Sequence, residues 1–273
     1  MTRREGYWIG HPGALLPLPD ATGTLARKTE RATTFVSSAS GRRRAYRSAR
    51  RAPLREWTIS LARLRPEEAS ALHGLVMDTN PPYVWVDAWS RVTNLLAPSA
   101  AGLESVLPVD LPAVGRQPLA GGGYAPTGLA NPDGVTVHVE PAPAQPGMPL
   151  TASAFLTSAA GGGRVVAEVL DSDGAIITTA AGTTVTATTE LTRSWVTVLN
   201  PPAGTAAVSI RIEGADVLAQ PAVTWTPDLL PYGPGGGAAQ VVVSGFDEAV
   251  QFAMLEPAGL RLADLQFTVT EVG

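Results

Sequence analysis

Apolar and polar positions alternate with a short period over most of the chain. Trp57, Ile59 and Leu61 alternate with Thr58, Ser60 and Ala62, the period of a strand with one buried face, and this predicts a strand over 56–64. The period then lengthens. Ala69, Leu72, Leu75 and Val76 fall on one face of a helix, and Pro66 suits its first position because the missing N–H would have no partner there. Glu67 and Glu68 favour the positive end of the helix dipole, and Asn80-Pro81-Pro82 stops the helix. One helix over 66–78 is therefore expected, followed by an aromatic and β-branched strand over 83–86. Strands of that kind return only at 240–244, 250–255 and 265–272, where Leu265, Phe267 and Val269 alternate with Gln266, Thr268 and Thr270.

The intervening segment has its own rhythm. Val135, Val137 and Val139 alternate with Thr136, His138 and Glu140, and further strands are expected over 150–157, 164–170, 175–179, 193–198, 206–213 and 217–225. Turn signals separate them: Pro146-Gly147, Gly161-Gly162-Gly163, Asp171-Ser172-Asp173-Gly174 and Pro201-Pro202-Ala203-Gly204. Short strands at this spacing read as a β-sandwich. The simplest account is a domain over 99–234 inserted into a discontinuous one made of 1–98 and 235–273, with linkers at Ala97-Pro98 and at 234–237. Residues 1–26, rich in Gly and Pro around Tyr7 and Trp8, are either a strand pair or an arm packing on a neighbour.

Composition agrees with this reading and narrows it. Twenty-four prolines and 28 glycines beside a single helical pattern make the class mainly β. With no cysteine, disulfides, cysteine-ligated zinc and thiol nucleophiles are excluded. No apolar run approaches the roughly 20 residues of a membrane span, and MTRREGYWIG lacks a signal-peptide core, so a product made in a cytoplasm without membrane insertion is expected. The net charge of -4 conceals an asymmetry. Residues 1–98 hold 15 basic against 8 acidic side chains (+7), residues 99–234 hold 4 against 11 (-7), and residues 235–273 hold 1 against 5 (-4). Surfaces so different imply different partners.

The basic charge is concentrated. Arg42, Arg43, Arg44, Arg47, Arg50 and Arg51 fall within ten residues, a run that would contact phosphates in a duplex binder. As a hairpin tip it would instead be solvated, or would meet carboxylates at a subunit interface. The interface is the reading adopted. Enzyme signatures are missing: His11, His73 and His138 lack metal-ligand spacing, and there is no nucleophile elbow, phosphate loop or dinucleotide fingerprint. Asp247-Glu248 reads as a solvated pair on a turn, and the Asp171–Gly174 stretch as a hairpin turn rather than a calcium loop. Neither catalysis nor a cofactor is expected.

An Arg-rich hairpin, a long strand, one helix and the run Tyr83, Val84, Trp85, Val86, Asp87 with Asn94, rejoined by 240–244, 250–255 and 265–272, resemble the N-terminal domain of distal tail proteins of long-tailed bacteriophages. The resemblance covers about half the chain. It implies a tail-tube-like β-barrel or sandwich domain, assembled as a ring of six copies at the distal end of the virion tail between tube and baseplate. Tail tube, tape-measure and tail hub proteins would be its partners, and DNA would pass through only as cargo. In such a ring the arginine hairpin would face the acidic C-terminal strands of a neighbour, since a heterologous interface closes only when each edge finds its complement.

A second resemblance spans nearly all of the insert. Asn94-Leu95-Leu96, Leu103-Glu104, PGMPLTASAFL at 146–156, the DSDG turn, SWVTV at 194–198 and PAGTAAVSIRI at 202–212 look like a jelly-roll carbohydrate-binding module. Such modules hold glycans on aromatic faces with a few orienting polar groups, and here the implied ligand is a host cell-surface glycan. Trp195 matches the strand tryptophan, a position that favours the core, whereas Tyr124, Trp225 and Tyr232 lie near predicted loops or strand ends as platform candidates. Glu104 matches a calcium-binding glutamate, but Ala219-Gln220-Pro221 stands where the partner aspartate is expected. The alternatives are a stand-alone carbohydrate-binding protein and a cell-wall glycan hydrolase.

Overall fold

A computed structural model describes residues 6–18, 26–30, 33–37, 43–47, 54–78, 82–108, 110–253 and 260–272. In chain order the elements are β1 (Tyr7–His11), β2 (Ala14–Leu18), β3 (Ala26–Glu30), β4 (Thr33–Ser37), β5 (Arg43–Arg47), β6 (Leu54–Leu64), α1 (Pro66–Met77) and β7 (Tyr83–Val86). Next come α2 (Ser90–Thr93), α3 (Pro98–Ala101), β8 (Val106–Leu107), β9 (Ala113–Val114), β10 (Gln117–Pro118), β11 (Tyr124–Ala125) and β12 (Gly128–Ala130). Longer strands follow: β13 (Val137–Pro143), β14 (Leu150–Ser158), β15 (Arg164–Leu170), β16 (Ile176–Ala181), β17 (Thr188–Val198), β18 (Ala207–Glu213) and β19 (Val217–Thr224). The chain closes with β20 (Ala239–Ala253) and β21 (Leu260–Glu271). The class is mainly β. Contacts divide the chain into one unit of Met1–Gly10, Leu16–Trp85 and Ala239–Gly273, and a second of His11–Leu15 and Val86–Ala238.

The first unit is organised on a sheet of order β2-β1-β7-β20-β21-β6-β3, which among the described residues stays open at both edges. Strands from the two ends of the chain are neighbours within it: β20 pairs antiparallel with β7, and β21 with β6. The alternation in β6 puts Trp57, Ile59 and Leu61 into the core with Trp85, Leu265 and Phe267. Helix α1 adds Ala69 and Leu72 to that core. Its first turn is closed by the Arg65 N–H donating to Glu68 Oε2 at 2.9 Å, with Pro66 at the first position. Extended backbone at Asp78 ends it.

The two strands expected over 240–244 and 250–255 are one. The register of β20 against β21 shifts between Ser244 and Asp247, beside Gly245 at φ +60°, so a bulge breaks the alternation without breaking the strand. Asp247 and Glu248 accordingly sit in a strand, opposite Gln266 and Leu265, rather than on a turn. Arg55 joins the two ends of the chain: its backbone N–H and Nε donate to Glu271 Oε2 and its Nη2 to Oε1, each at 2.9 Å.

The second unit is a sandwich of two five-stranded sheets, a front sheet of order β17-β14-β19-β12-β9 and a back sheet of order β16-β15-β18-β13-β8. From β12 to β19 the chain visits front, back, front, back, back, front, back, front. With the orders β12-β19-β14-β17 and β13-β18-β15-β16, that path is an eight-stranded jelly roll. Mid-sized aliphatics from both sheets fill the space between them, including Val139, Leu150, Leu156, Val165, Ile210 and Leu218. The turn between β15 and β16 is set by Asp171, whose Oδ1 accepts the Asp173 and Ala175 N–H groups, with Gly174 at φ +81°.

A second bulge decides which residues face the core. In β14 against β19, Ser153 pairs with Ala222 but Phe155 pairs with Ala219, and the extra residue falls at Gln220-Pro221, where Gln220 has φ 51°. Before it the even-numbered Leu218 points inward, and after it the odd-numbered Val223 and Trp225 do. The ends of the unit are tied together by Asn94, which is fully buried. Its Nδ2 donates to Pro221 O and Gly233 O, and its Oδ1 accepts the Leu96 and Val223 N–H groups. Backbone bonds from Gly237 to Asn94 O and from Ala238 to Leu95 O complete the neck.

Candidate functional site

The front sheet presents a face away from the sandwich core, onto which strand alternation directs Leu191, Arg193 and Trp195 of β17 and Phe155 of β14. Short β10 and β11, with Pro118 opposite Tyr124, fold back over part of this face. Leu119 and Ala125 of that hairpin pack with Leu191, Ala219, Phe155 and Val217 into a small secondary core. Two glycines at φ +88°, Gly122 and Gly123, make the tight turn between the strands. Tyr124, next to the buried Ala125, therefore points outward and is 54% exposed. The Arg116 guanidinium lies 3.8 Å from its ring centroid, a cation–π stack.

The four aromatic candidates separate by environment. Tyr124 presents ring surface to solvent, and Trp195, half-buried opposite Ser153, lies on the same sheet face rather than in the core its strand position suggested. Trp225 is corrected: at 1% exposure, with Nε1 donating to Pro143 O at 3.0 Å, it fills the sandwich interior and offers no ring face to a sugar. A place at a strand end suggested exposure, but the bulge at Gln220-Pro221 shifts the alternation by one residue and turns this position inward. Tyr232 is half-buried, and burial raises the pKa of its phenol. The reading of the sequence gave no role to Trp89, which at 69% exposure ahead of α2 is a further ring available to ligand. Its only signal was an indole within a segment otherwise rich in buried aromatics.

Arg193 braces the same face. Its guanidinium sits 5.5 Å from the Phe155 ring, Nη1 donates to Leu230 O at 2.6 Å and Nη2 to Ser153 Oγ at 3.0 Å. Burial without a carboxylate among those partners lowers its pKa. Thr151 and Thr197 donate to the Thr226 and Pro227 carbonyls, so the segment after β19 is held by side chains of the sheet.

The back sheet's outer face has a different chemistry. Arg164 pairs with Glu213 at 2.8 Å, Glu213 with Arg211, Arg211 with Glu168 at 2.6 Å, and His138 Nδ1 lies 3.5 Å from Glu168. Alternating charges along this ladder satisfy one another. Beside it a groove of about 500 Å³ is lined by Glu104, Val106, Leu107, His138, Glu140 and Ser209, with no Trp, Tyr or Phe in its walls. Glu104 is exposed there, and among the described residues no group of three His, Cys, Asp or Glu is placed to hold a metal ion. Of the arginine run, Arg43, Arg44 and Arg47 lie in β5, whose backbone pairs with β4 as a two-stranded sheet, while Arg42, Arg50 and Arg51 lie outside the described residues. In the first unit His73 Nε2 meets Glu248 Oε2 at 2.6 Å and its ring meets Phe246 edge-on at 4.9 Å. Among the described residues no helix is long and apolar enough to cross a membrane.

No family model and no curated protein matches the chain. Among solved structures, the CBM22-1-GH10 modules of the Clostridium thermocellum N-terminal endo-1,4-β-D-xylanase 10B, complexed with xylohexaose, align with a TM-score of 0.36 and 12% identity, over 52% of this chain and 30% of that one. The enzymatically active domain of tailspike protein 4 from bacteriophage CBA120 aligns with a TM-score of 0.36 and 11% identity, over 49% of this chain and 21% of that one. The alignments thus span less than a third of either neighbour's length.

Proposed function

We propose that the chain is a structural component of the distal tail of a long-tailed bacteriophage, whose split β-unit builds a six-copy ring and whose jelly roll holds a host cell-surface glycan. The observation that carries this reading is topological. A complete jelly roll lies between β7 and β20, which are adjacent strands of one antiparallel sheet. A binding module placed in the connection of a scaffold domain suits a protein that must assemble and adsorb at once. The face bearing Tyr124 and Trp195 is the sugar platform, because aromatic rings present flat apolar surface to sugar C–H groups. The groove of the back sheet, with no Trp, Tyr or Phe in its walls, lacks that surface.

Two measurements test the two halves. Light scattering of the whole chain and of a version with residues 86–238 replaced by a short Gly-Ser linker should give the same closed oligomer; monomers in both cases at high concentration would remove the ring and leave a stand-alone carbohydrate-binding protein. In a pull-down with purified cell-wall polysaccharide, Tyr124→Ala should lose at least about tenfold in affinity while its fold is kept, a loss of the size found for an aromatic anchor. Full retention would place the platform elsewhere, with Trp89 the next ring to test.

A further inference from the structure

Between residues 99 and 234 the only cationic side chains apart from histidine are Arg116, Arg164, Arg193 and Arg211, against 11 carboxylates. Three of the four are engaged. Arg164 and Arg211 belong to the ion ladder, and Arg193 donates to Leu230 O and Ser153 Oγ. Arg116 differs: it is exposed, it stacks on Tyr124, and among the described residues its N–H groups meet no carboxylate, carbonyl or hydroxyl. An arginine on a surface with so many carboxylates, yet paired with none of them, is held in reserve by the ring beneath it.

The stack also fixes the arginine's geometry. Arg116 immediately precedes β10, and the hairpin beneath is pinned by the Ala120 N–H to Leu191 O bond at 3.1 Å and by the Leu119–Ala125 secondary core. The Gln117 amide donates to Gly115 O at 3.1 Å, bracing the backbone on either side of Arg116. A guanidinium lying flat on an aromatic ring keeps its N–H edge directed outward in the plane, the arrangement that matches the two oxygens of a carboxylate or phosphate.

We propose that the Arg116–Tyr124 stack is an oxyanion subsite of the glycan platform, which selects an acidic sugar, carboxylated or phosphorylated, within an otherwise neutral glycan. This rests on the glycan-binding reading and adds the chemical class of the ligand. Tyr124 supplies the apolar face for the ring, and Arg116 the paired donors for the acidic substituent. The -7 charge of the surrounding segment sets the spacing of acid groups: a densely charged polymer is repelled by the module as a whole, whereas an isolated acidic sugar meets the Arg116 guanidinium.

The test uses the full chain on an array of oligosaccharides, each neutral member paired with its C6-carboxylate and C6-phosphate counterparts, with affinities of the hits measured by calorimetry. The native chain should bind an acidic counterpart about fivefold more tightly than the neutral parent, the range of a bidentate charge-assisted contact at an exposed site. Arg116→Gln should erase that preference, read as equal affinity for each acidic member and its neutral parent, and Arg116→Lys should restore only part of it because its donors are not planar. Preference for the carboxylate alone or the phosphate alone would identify the source of the oxyanion. Equal affinity for neutral and acidic members, or a preference that survives Arg116→Gln, overturns the subsite while the glycan-binding reading stands. Absence of binding to every member overturns both.

Discussion

The first unit buries Trp8, Trp57, Trp85 and Phe267 on a single sheet, with Tyr7 and Trp57 packed 5.6 and 5.7 Å from Trp85. The sandwich of the second unit has one tryptophan in its core, Trp225, and otherwise closes on valine, isoleucine, leucine and alanine. The difference follows from how many layers each unit has. Two facing sheets about 10 Å apart are filled by branched aliphatics from both sides. A sheet covered by one 12-residue helix must fill more space from its own strands, and large rings do that.

Buried polar atoms do not divide so simply. The Nε1 atoms of Trp57 and Trp85 in the first unit and Nε of Arg193 in the second are buried without a partner, while Trp225, Asn94 and Asn131 in the sandwich each meet backbone atoms. The first unit is marked by its packed rings and the Arg55–Glu271 ion pair, the second by buried hydrogen bonds around an aliphatic core.

Truncating the rings should produce the largest effects. Trp85→Ala and Trp225→Ala should each destabilise their own unit by about 3–5 kcal/mol, read as lost hydrogen-exchange protection confined to that unit. Equal loss throughout the chain would mean that the two cores unfold together. Next in size, Asn94→Ala strands two N–H groups and two carbonyls at the neck of the sandwich and should cost about 3 kcal/mol, again with the first unit's protection unchanged. Glu271→Ala removes the carboxylate that accepts three hydrogen bonds from the buried Arg55 and should cost the first unit about the same, which compares one ion pair with one amide network directly.

The smallest effect is alkaline and common to both units. Burial raises the pKa of Tyr83, helped by the negative charge of Asp78, and burial raises that of Tyr232, above the ordinary value of 10.0. In the unfolded chain both phenols ionise at the ordinary value, so their contribution is complete below pH 10 and is lost as pH rises through the raised folded values. Denaturant midpoints followed from about pH 9 to about pH 11 should fall, and Tyr232→Phe should flatten the decline for the sandwich alone. An unchanged slope in that variant would assign the decline to other groups.

Where local periodicity carries the structure, the sequence was legible. The strand 164–170 matches β15, the expected 217–225 differs from β19 at one residue, and helix α1 begins at Pro66 and ends one residue before the expected 78. The failures have physical causes. The bulge at Gly245 adds a residue that no alternation reveals, so β20 reads as two strands, and the one at Gln220-Pro221 turns Trp225 inward at a strand end where exposure was expected. The pairs β8, β9, β10 and β11 are two residues long, too short for any period, and they carry the hairpin that exposes Tyr124. The exposure of Tyr124 itself was legible from its place near a predicted loop. The stacking of Arg116 on it depends on which way the hairpin folds back, and nothing local records that.

Because Trp85 and Ala239 are direct partners across β7 and β20, their backbones lie about one strand spacing, roughly 5 Å, apart. To the carrier sheet the whole jelly roll amounts to a single hairpin connection. Closure entropy grows only slowly with the length of such a connection, so a shorter turn or an unrelated module with neighbouring ends can take its place without moving a residue of the carrier's register. Recombination at these two positions would exchange the whole sandwich in one step, and the same positions are natural junctions for grafting a chosen domain.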